Sequence, residues 1–211
     1  DGPPAPRPLG LEPTTLDSLE QLALASNPTL AELQANIDAA NGRWLQVGLK
    51  PNPVAVLSVQ EIGNEGSAGQ YGAQIGQEFV TANKLDLNRN AAAWRVKQAE
   101  QQMAAQRLRV LTDVRRRFYA VLVAQERIVV ANELRGIAQQ SVEKAKELIK
   151  FQEPATVLTQ AEIEAELAAV LVDNFTTQQE SQWRQLAAVI GVPNLPLQSV
   201  GGQLSTDAPN V

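Results

Sequence analysis

One uninterrupted stretch, from Asn83 to Lys150, most constrains what this chain can fold into. It contains no proline, its single glycine is Gly136, and it consists largely of Ala, Gln, Glu, Arg, Leu and Val, which mostly favour helix. Apolar residues recur in it at three- and four-residue steps, the period of an amphipathic helix, and no strand signal interrupts them. About 65 residues at ~1.5 Å each predict a rod of roughly 100 Å, far longer than an average helix of about 11–12 residues.

Two shorter helices are predicted before this rod. Thr14 or Thr15 can cap the first of them, because a threonine hydroxyl accepts a hydrogen bond from the first helical turn. Asn27 ends this helix and caps the next, which begins at Pro28, a residue suited to a first turn. The second helix is expected to end near Val47, ahead of a run of glycine and proline.

A second long helix is predicted after the rod. The rod breaks at residues 151–154, and a new helix starts at Pro154 or Thr156 and continues to Ile190, where Gly191 closes it. Because the break is so short, we expect the two long helices to lie antiparallel as an αα-hairpin. The predicted fold class is therefore mainly α, with a coiled-coil-like hairpin.

The segment between the second helix and the rod has a different character. Residues Val54–Ile62 and Gln70–Phe79 resemble two strands, and the glycine-rich residues 63–69 between them suit a hairpin loop. Each run has the length that a tilted strand needs to cross a bilayer. Alternation places one set of side chains on a common face in each run: Ala55, Leu57 and Val59 in the first, Tyr71, Ala73 and Ile75 in the second. An ordinary hairpin lying on the helices is the alternative.

The predicted domain organisation is a single folded repeat with loose ends. Residues 1–13 contain five prolines and are expected to be a disordered lead-in. Residues 14–192 form the repeat, with the β-hairpin at about 54–79. Residues 193–211 are expected to be a flexible tail or linker, without a core beyond Pro196.

Composition excludes several functions. The chain has no cysteine and no histidine, which excludes thiol nucleophiles, Cys/His zinc sites and histidine acid–base chemistry. Its net charge is −5, with basic residues interspersed among acidic ones, so nothing favours nucleic-acid binding. It has no run of about 18 apolar residues, as a membrane-crossing helix would need. We predict neither an enzyme nor a bound cofactor.

Three clusters that could carry chemistry have simpler explanations. The carboxylates of Glu162, Glu164 and Glu166 could hold a metal, but a solvated helix face explains them better. Residues 115–117 are all arginine and point in different directions on a helix, so local ion pairing is the default interpretation. The three tryptophans, Trp44, Trp94 and Trp183, are expected to fill the core or grooves between helices.

The ordered set of elements carries a resemblance. It rests on five segments: Leu16 to Pro28, Gly48 to Pro53, Gly76 to Lys84, Val114 to Tyr119 and Val157 to Glu162. In this order the chain resembles the TolC family of outer-membrane efflux proteins, especially the branch that serves heavy-metal and related cation pumps. The similarity spans about Thr15 to Val192 and corresponds to the first of the two repeats in a full subunit.

The resemblance implies a role in transport. Members are trimers whose subunits share an outer-membrane barrel and a periplasmic helical tunnel, so the chain would be part of a passive efflux duct in the bacterial outer membrane and periplasm. The six alternating strand residues would face lipid. Phe151, Gln152, Glu153 and Pro154 would form the periplasmic tip that meets an adaptor protein, which links the duct to an inner-membrane pump.

Two further expectations follow. With only one repeat, the isolated chain is expected to be water-soluble and not to form the channel alone, because a single hairpin leaves open edges that lipid does not tolerate. The alternative function is a soluble helical-hairpin adaptor or scaffold that bridges partners through coiled-coil faces. A scaffold would bury the strand side chains on its own helices, whereas a channel part would leave them uncovered.

Overall fold

A computed structural model describes residues 14–60, 70–150 and 154–202 of the chain. Its elements follow the predicted order: α1 (Leu16–Ser26), α2 (Pro28–Gln46), β1 (Val54–Gln60), β2 (Gln70–Gly76), α3 (Lys84–Ile149) and α4 (Thr156–Ile190). The two strands form one antiparallel sheet. The mainly helical fold class is confirmed, whereas the lead-in at residues 1–13 and the hairpin loop lie outside the described residues.

The helix ends follow from their capping residues. The Thr15 hydroxyl accepts a hydrogen bond from the Ser18 amide at 3.3 Å, as an N-cap should. The Asn27 Oδ1 accepts from the Thr29 amide at 2.9 Å and so caps α2. The Asn27 Nδ2 donates to the Val189 carbonyl at 2.7 Å, so one buried side chain joins α1 and α2 to the end of α4.

Gly191 closes α4 in a position that admits only glycine. Its φ is +91°, in the left-handed region, and its amide donates to the carbonyls of Ala187 and Ala188. A Cβ built on Gly191 would lie 2.6 Å from the Ser26 carbonyl oxygen. The left-handed cap therefore lets the end of α4 approach the junction between α1 and α2 closely.

The described chain divides into two compact units. The first unit comprises residues 14–30 and 106–202, and the second comprises residues 31–105 without the undescribed hairpin loop. In the first unit the core lies where α1, the middle of α3 and the end of α4 meet. Its largest fully buried side chains are Leu19, Val114, Val121, Leu122, Leu186 and Ile190.

In the first unit α3 and α4 pack as the predicted antiparallel hairpin. Arg117 Nη1 of α3 donates to Gln185 Oε1 of α4 at 2.5 Å, and farther along α3 Leu148 borders a hollow with Val157 of α4. Residue numbers rise on one helix while they fall on the other, so the helices are antiparallel. Buried alanines recur at every seventh residue along this seam: Ala124, Ala131, Ala138 and Ala145 on α3, and Ala161 and Ala168 on α4. Such small side chains favour a short distance between the helix axes.

The second unit holds the sheet, most of α2 and the start of α3. The least exposed residues of its helices repeat at three- and four-residue steps, as a two-helix seam requires. The Arg89 guanidinium of α3 lies 4.4 Å from the centre of the Trp44 ring of α2, a cation–π contact. A Cβ at Gly48 would overlap the Arg89 side chain, so glycine at the end of α2 leaves room for this arginine.

The second strand ends earlier than predicted. It was expected to reach Phe79 but stops at Gly76, which pairs with Val54, the first residue of β1. Pro53 precedes Val54 and has no amide hydrogen to donate, which disfavours continuation of the ladder past Val54. The Gln77 side chain instead donates to the Pro51 carbonyl at 2.8 Å, which holds the two strand ends together.

The prediction that no core lies beyond Pro196 is wrong for the described residues. Val200 is only 4% exposed, and its amide donates to Gln125 Oε1 at 2.9 Å. The neighbouring backbone pairs with Thr14 in a parallel bridge, in which Thr14 donates to the Ser199 carbonyl and accepts from the Gly201 amide. Residues 198–202 therefore join the start of the described chain to α3, while residues 203–211 lie outside the described residues.

Gly191→Ala should lower the free energy of unfolding by about 2–3 kcal/mol, because alanine would be strained at this φ and would collide with the Ser26 carbonyl. Gly136→Ala is the matched control. Gly136 lies inside α3 with open space around its Cβ position, so alanine there should stabilise by about 0.5–1 kcal/mol. Urea unfolding followed by circular dichroism measures both. Equal effects of the two substitutions would contradict the assigned conformation of Gly191.

Val200→Ala should destabilise the chain by about 1–2 kcal/mol, since it removes two buried methyl groups. Val130→Ala is the control, because Val130 is 63% exposed on α3 and its truncation should change stability by less than about 0.5 kcal/mol. The same unfolding measurement applies. If Val200→Ala were as neutral as Val130→Ala, residues 198–202 would not be packed in solution.

Candidate functional site

The strand register brings all six predicted strand residues onto one face of the sheet. In an antiparallel pair, directly opposite residues point to the same side. The opposed pairs are Ala55 with Ile75, Leu57 with Ala73, and Val59 with Tyr71. The predicted alternation is therefore correct, and it produces a continuous apolar face, which we call the apolar face of the sheet.

No described helix covers this apolar face. Leu57 is 84% exposed, Ile75 81% and Tyr71 78%, and the other three members are exposed as well. A scaffold that used its strands as a cap would bury these side chains, so this condition of the alternative function is not met among the described residues. Large apolar side chains left uncovered together indicate an interaction surface.

The opposite face of the sheet is chemically different. It presents Val54, Val56, Ser58, Gly72, Gln74 and Gly76, which mixes apolar residues with polar ones and glycine. A Cβ at Gly72 would lie 2.6 Å from Ser58 Oγ, so glycine gives this serine its space. The sheet therefore has one purely apolar face and one mixed face.

Most of the predicted tip lies outside the described residues. Phe151, Gln152 and Glu153 are undescribed, while Pro154 is exposed and its carbonyl accepts from the Val157 amide at 3.1 Å. Pro154 thus begins the first turn that leads into α4. The helix itself starts at Thr156, the second of the two predicted restart positions.

The three carboxylates of the acidic cluster do not converge. Glu162 and Glu166 border a groove of about 1020 Å³ between α3 and α4, together with Glu143 and Glu147. Glu164 lies on another side of α4, where it accepts from Gln160 at 3.3 Å. Within the described ranges no group of acidic side chains has the geometry to hold a metal ion. The interpretation as a solvated helix face agrees with this arrangement.

The three consecutive arginines point in different directions, as predicted. Arg115 Nε donates to the Glu20 carboxylate of α1 at 2.5 Å, and this hydrogen bond raises the pKa of the Arg115 guanidinium above its ordinary value. Arg117 bonds to Gln185 in the seam, and Arg116 is exposed. The cluster therefore joins helices instead of forming one cationic site.

The tryptophans divide between packing and exposure. Trp183 is 3% exposed and donates to the Leu195 carbonyl at 3.1 Å, and Trp44 is half-buried under Arg89. The prediction of core or groove packing is wrong for Trp94, which is 70% exposed with the Lys97 ammonium 4.7 Å from its ring centre. Trp94 therefore lies on an exposed face of α3.

None of the helices in the part of the chain that the structure describes is both long and apolar enough to cross a membrane.

Comparison with known proteins decides the family. Residues 19–192 match the family model of the outer membrane efflux protein, which is most of the chain. The chain belongs to this family. The resemblance found in the segments from Leu16 to Glu162 is thereby confirmed.

Individual relatives agree with this assignment. The chain is 26% identical over 180 residues to the cobalt-zinc-cadmium resistance protein CzcC of Cupriavidus metallidurans, covering 85% of this chain and 43% of CzcC. It shares its fold with a crystal structure of CusC (TM-score 0.73, 15% identity, 92% of this chain and 48% of CusC). The CmeC outer membrane channel of Campylobacter jejuni is also similar (TM-score 0.66, 19% identity, 90% of this chain and 45% of CmeC). This chain thus spans about half the length of these relatives.

One candidate site lies outside the predicted set. It is a groove between α2 and α3 that is bordered by Arg43 and Arg95. Its signal in the sequence is the absence of any acidic residue from 39–50 and from 87–99. A search for known motifs does not detect such a signal, because the two segments meet only in the fold.

Proposed function

We propose that this chain is one repeat of a subunit of an outer-membrane efflux duct, a passive conduit from the periplasm to the exterior. The observation that carries the proposal is the uncovered apolar face of the sheet in a chain of the outer membrane efflux protein family. The crystal structures of CusC concern transmembrane channel formation, which supports the same function here.

The proposed mechanism is geometric. The six apolar strand residues, Ala55, Leu57, Val59, Tyr71, Ala73 and Ile75, face lipid, while the mixed face lines the aqueous interior. This division follows the rule that a membrane strand alternates between hydrocarbon and water. The α3–α4 hairpin forms part of the tunnel wall in the periplasm. The duct itself does no chemistry, and an inner-membrane pump supplies the energy for export.

The proposed partners are further copies of the subunit, arranged as a trimer, and a periplasmic adaptor at residues 151–154. Exposed apolar residues on both long helices support lateral packing between copies, since they recur at four- and three-residue steps: Val130, Leu134 and Ile137 on α3, and Ile163, Leu167 and Val170 on α4. The similarity to CzcC supports export of metal cations.

Lysine on the apolar face should abolish assembly in the membrane. In the natural gene that encodes this chain, Leu57→Lys with Ile75→Lys would bury two charges in hydrocarbon, at about 2–4 kcal/mol each near the bilayer centre. Expressed in an efflux-deficient bacterium, this double variant should leave no trimers in the outer-membrane fraction and restore no tolerance to exported cations.

The matched control places the same charges on the mixed face. Ser58→Lys with Gln74→Lys should retain assembly and tolerance within about twofold, because lysine there remains hydrated. Normal assembly of the Leu57 and Ile75 double variant would refute the proposed orientation. Equal failure of both double variants would refute it too.

The tip can be tested by cross-linking, because the chain has no cysteine of its own. Gln152→Cys, treated in cells with a thiol-to-amine cross-linker, should form an adduct with a periplasmic adaptor. Ser181→Cys, exposed near the other end of α4, should form none. Adducts from Ser181→Cys alone would place adaptor contact away from residues 151–154.

A further inference from the structure

The second unit contains a groove with an unusual lining. It lies between the second half of α2 and the third and fourth turns of α3, and it has a volume of about 350 Å³. Its apolar lining consists of Ala39, Ala40, Val47 and Ala92. Four longer polar side chains border it, Asn36, Arg43 and Gln46 from α2 and Arg95 from α3. Two guanidinium groups and two amides therefore surround a space that small side chains leave open.

Neither arginine has an anionic partner among the described residues. The ion pairs in residues 14–60, 70–150 and 154–202 involve Arg115, Lys146 and Arg184, and none involves Arg43 or Arg95. The positions three and four residues away from each arginine are alanine, glutamine or valine, so no helical carboxylate can reach them. Both guanidinium forks are available to a ligand.

Basic residues predominate in the two segments at the groove, which are flanked by Asp38, Asp86 and Glu100. Residues 39–50 and 87–99 contain five basic residues and no acidic one, in a chain whose net charge is −5. The contact of Arg89 with Trp44 shows that the two segments face each other, so these charges add in space. A local excess of one sign in a recess concentrates ions of the opposite sign.

Ordinary helix electrostatics explains only part of this pattern. Arg43 lies in the last turn of α2, where the helix dipole favours a cation. Arg95 lies well inside α3, which runs from Lys84 to Ile149, and receives no such benefit. Arg43 and Arg95 are both exposed, so water screens the repulsion between them, and a bound anion would lower it further.

We propose that this groove binds an oxyanion of the phosphate type. A guanidinium group offers two parallel N–H donors that match the oxygens of phosphate, and such charge-assisted bonds are the stronger kind. Arg43 and Arg95 bind the oxyanion from the two helices, and Asn36 and Gln46 add neutral donors. The phosphate group comes from a free anion or from the headgroup of an anionic phospholipid. This binding goes beyond export and does not depend on it.

The test is titration of the 211-residue chain with inorganic phosphate at low ionic strength, followed through the arginine Nε–H resonances by NMR. Because the site is open to water, we expect saturable binding with a dissociation constant on the order of 1 mM. Arg43→Gln with Arg95→Gln should weaken it about tenfold or more. Arg43→Lys with Arg95→Lys, which keeps both charges but removes the forks, should weaken it about threefold.

The matched control removes the same charge elsewhere. Arg107 and Arg127 are exposed on α3 and do not border the groove, so Arg107→Gln with Arg127→Gln should change phosphate affinity by less than about twofold. Circular dichroism confirms that each double variant keeps its helices. Equal weakening in the control would mean that phosphate responds only to net charge, and would overturn the proposal.

Vesicles distinguish the two sources of phosphate. If a headgroup is the ligand, phosphatidylglycerol vesicles should bind the chain, phosphate should compete, and the Arg43 and Arg95 glutamine variant should bind less. If a free anion is the ligand, phosphate alone should saturate the site and these substitutions should not alter vesicle binding.

Absence of saturable phosphate binding would overturn the proposal. The proposal would also be overturned if the chain bound no phosphate and the Arg43 and Arg95 glutamine variant differed from it in oligomeric mass. The arginines would then pair with carboxylates of another copy.

Discussion

The close contact between α3 and α4 is the interaction on which the first unit depends. Its seam consists of alanines at seven-residue intervals on α3, matched by Ala161 and Ala168 on α4. Each alanine buries little apolar surface, so the seam gains stability through the number of close contacts along the two helices. The largest buried side chains lie where α1 and residues 198–202 widen the packing, around Leu122 and Leu186, while Val172 is a larger member of the thin part. The hairpin is thus thin along most of its length and thick at one end.

That thinness explains why so many apolar side chains stay uncovered. A two-helix layer has no second layer to bury its outer faces, so Leu134 and Leu167 remain exposed. The sheet also leaves apolar side chains exposed, since no described residue covers Leu57 or Ile75. Under the proposed function, association resolves both problems: copies of the chain would cover the helices and lipid would cover the sheet. In this interpretation, the exposed surfaces are the parts of the chain that carry its function.

The sequence predicts the helix ends, because these depend on residues close by in the chain. Thr15, Asn27 and Gly191 mark helix ends within a residue or two. The side chains of Thr15 and Asn27 accept from backbone amides of the first turn, and Gly191 adopts the left-handed φ that ends α4. Contacts between segments that are distant in the sequence cannot be predicted in this way. Val200 is buried because Gln125 and Thr14 reach it across the fold, and Arg43 meets Arg95 only because α2 and α3 pack together. The alternation of the strand residues was readable, but the sequence alone could not show whether helices would cover them.

A seam that repeats every seven residues has a weakness, since sliding one helix by two turns would set alanine against alanine again. The hydrogen bond between Arg117 and Gln185 opposes this shift in one direction. The residue seven positions after Gln185 is Val192, beyond the end of α4, so a shift that way would leave the half-buried Arg117 guanidinium beside an apolar side chain. A shift the other way would bring Gln178 to Arg117, with the same kind of amide oxygen. The large side chains at the widened end, such as Leu122 and Leu186, must oppose that second shift, because a close-packed core accepts each of them in one place.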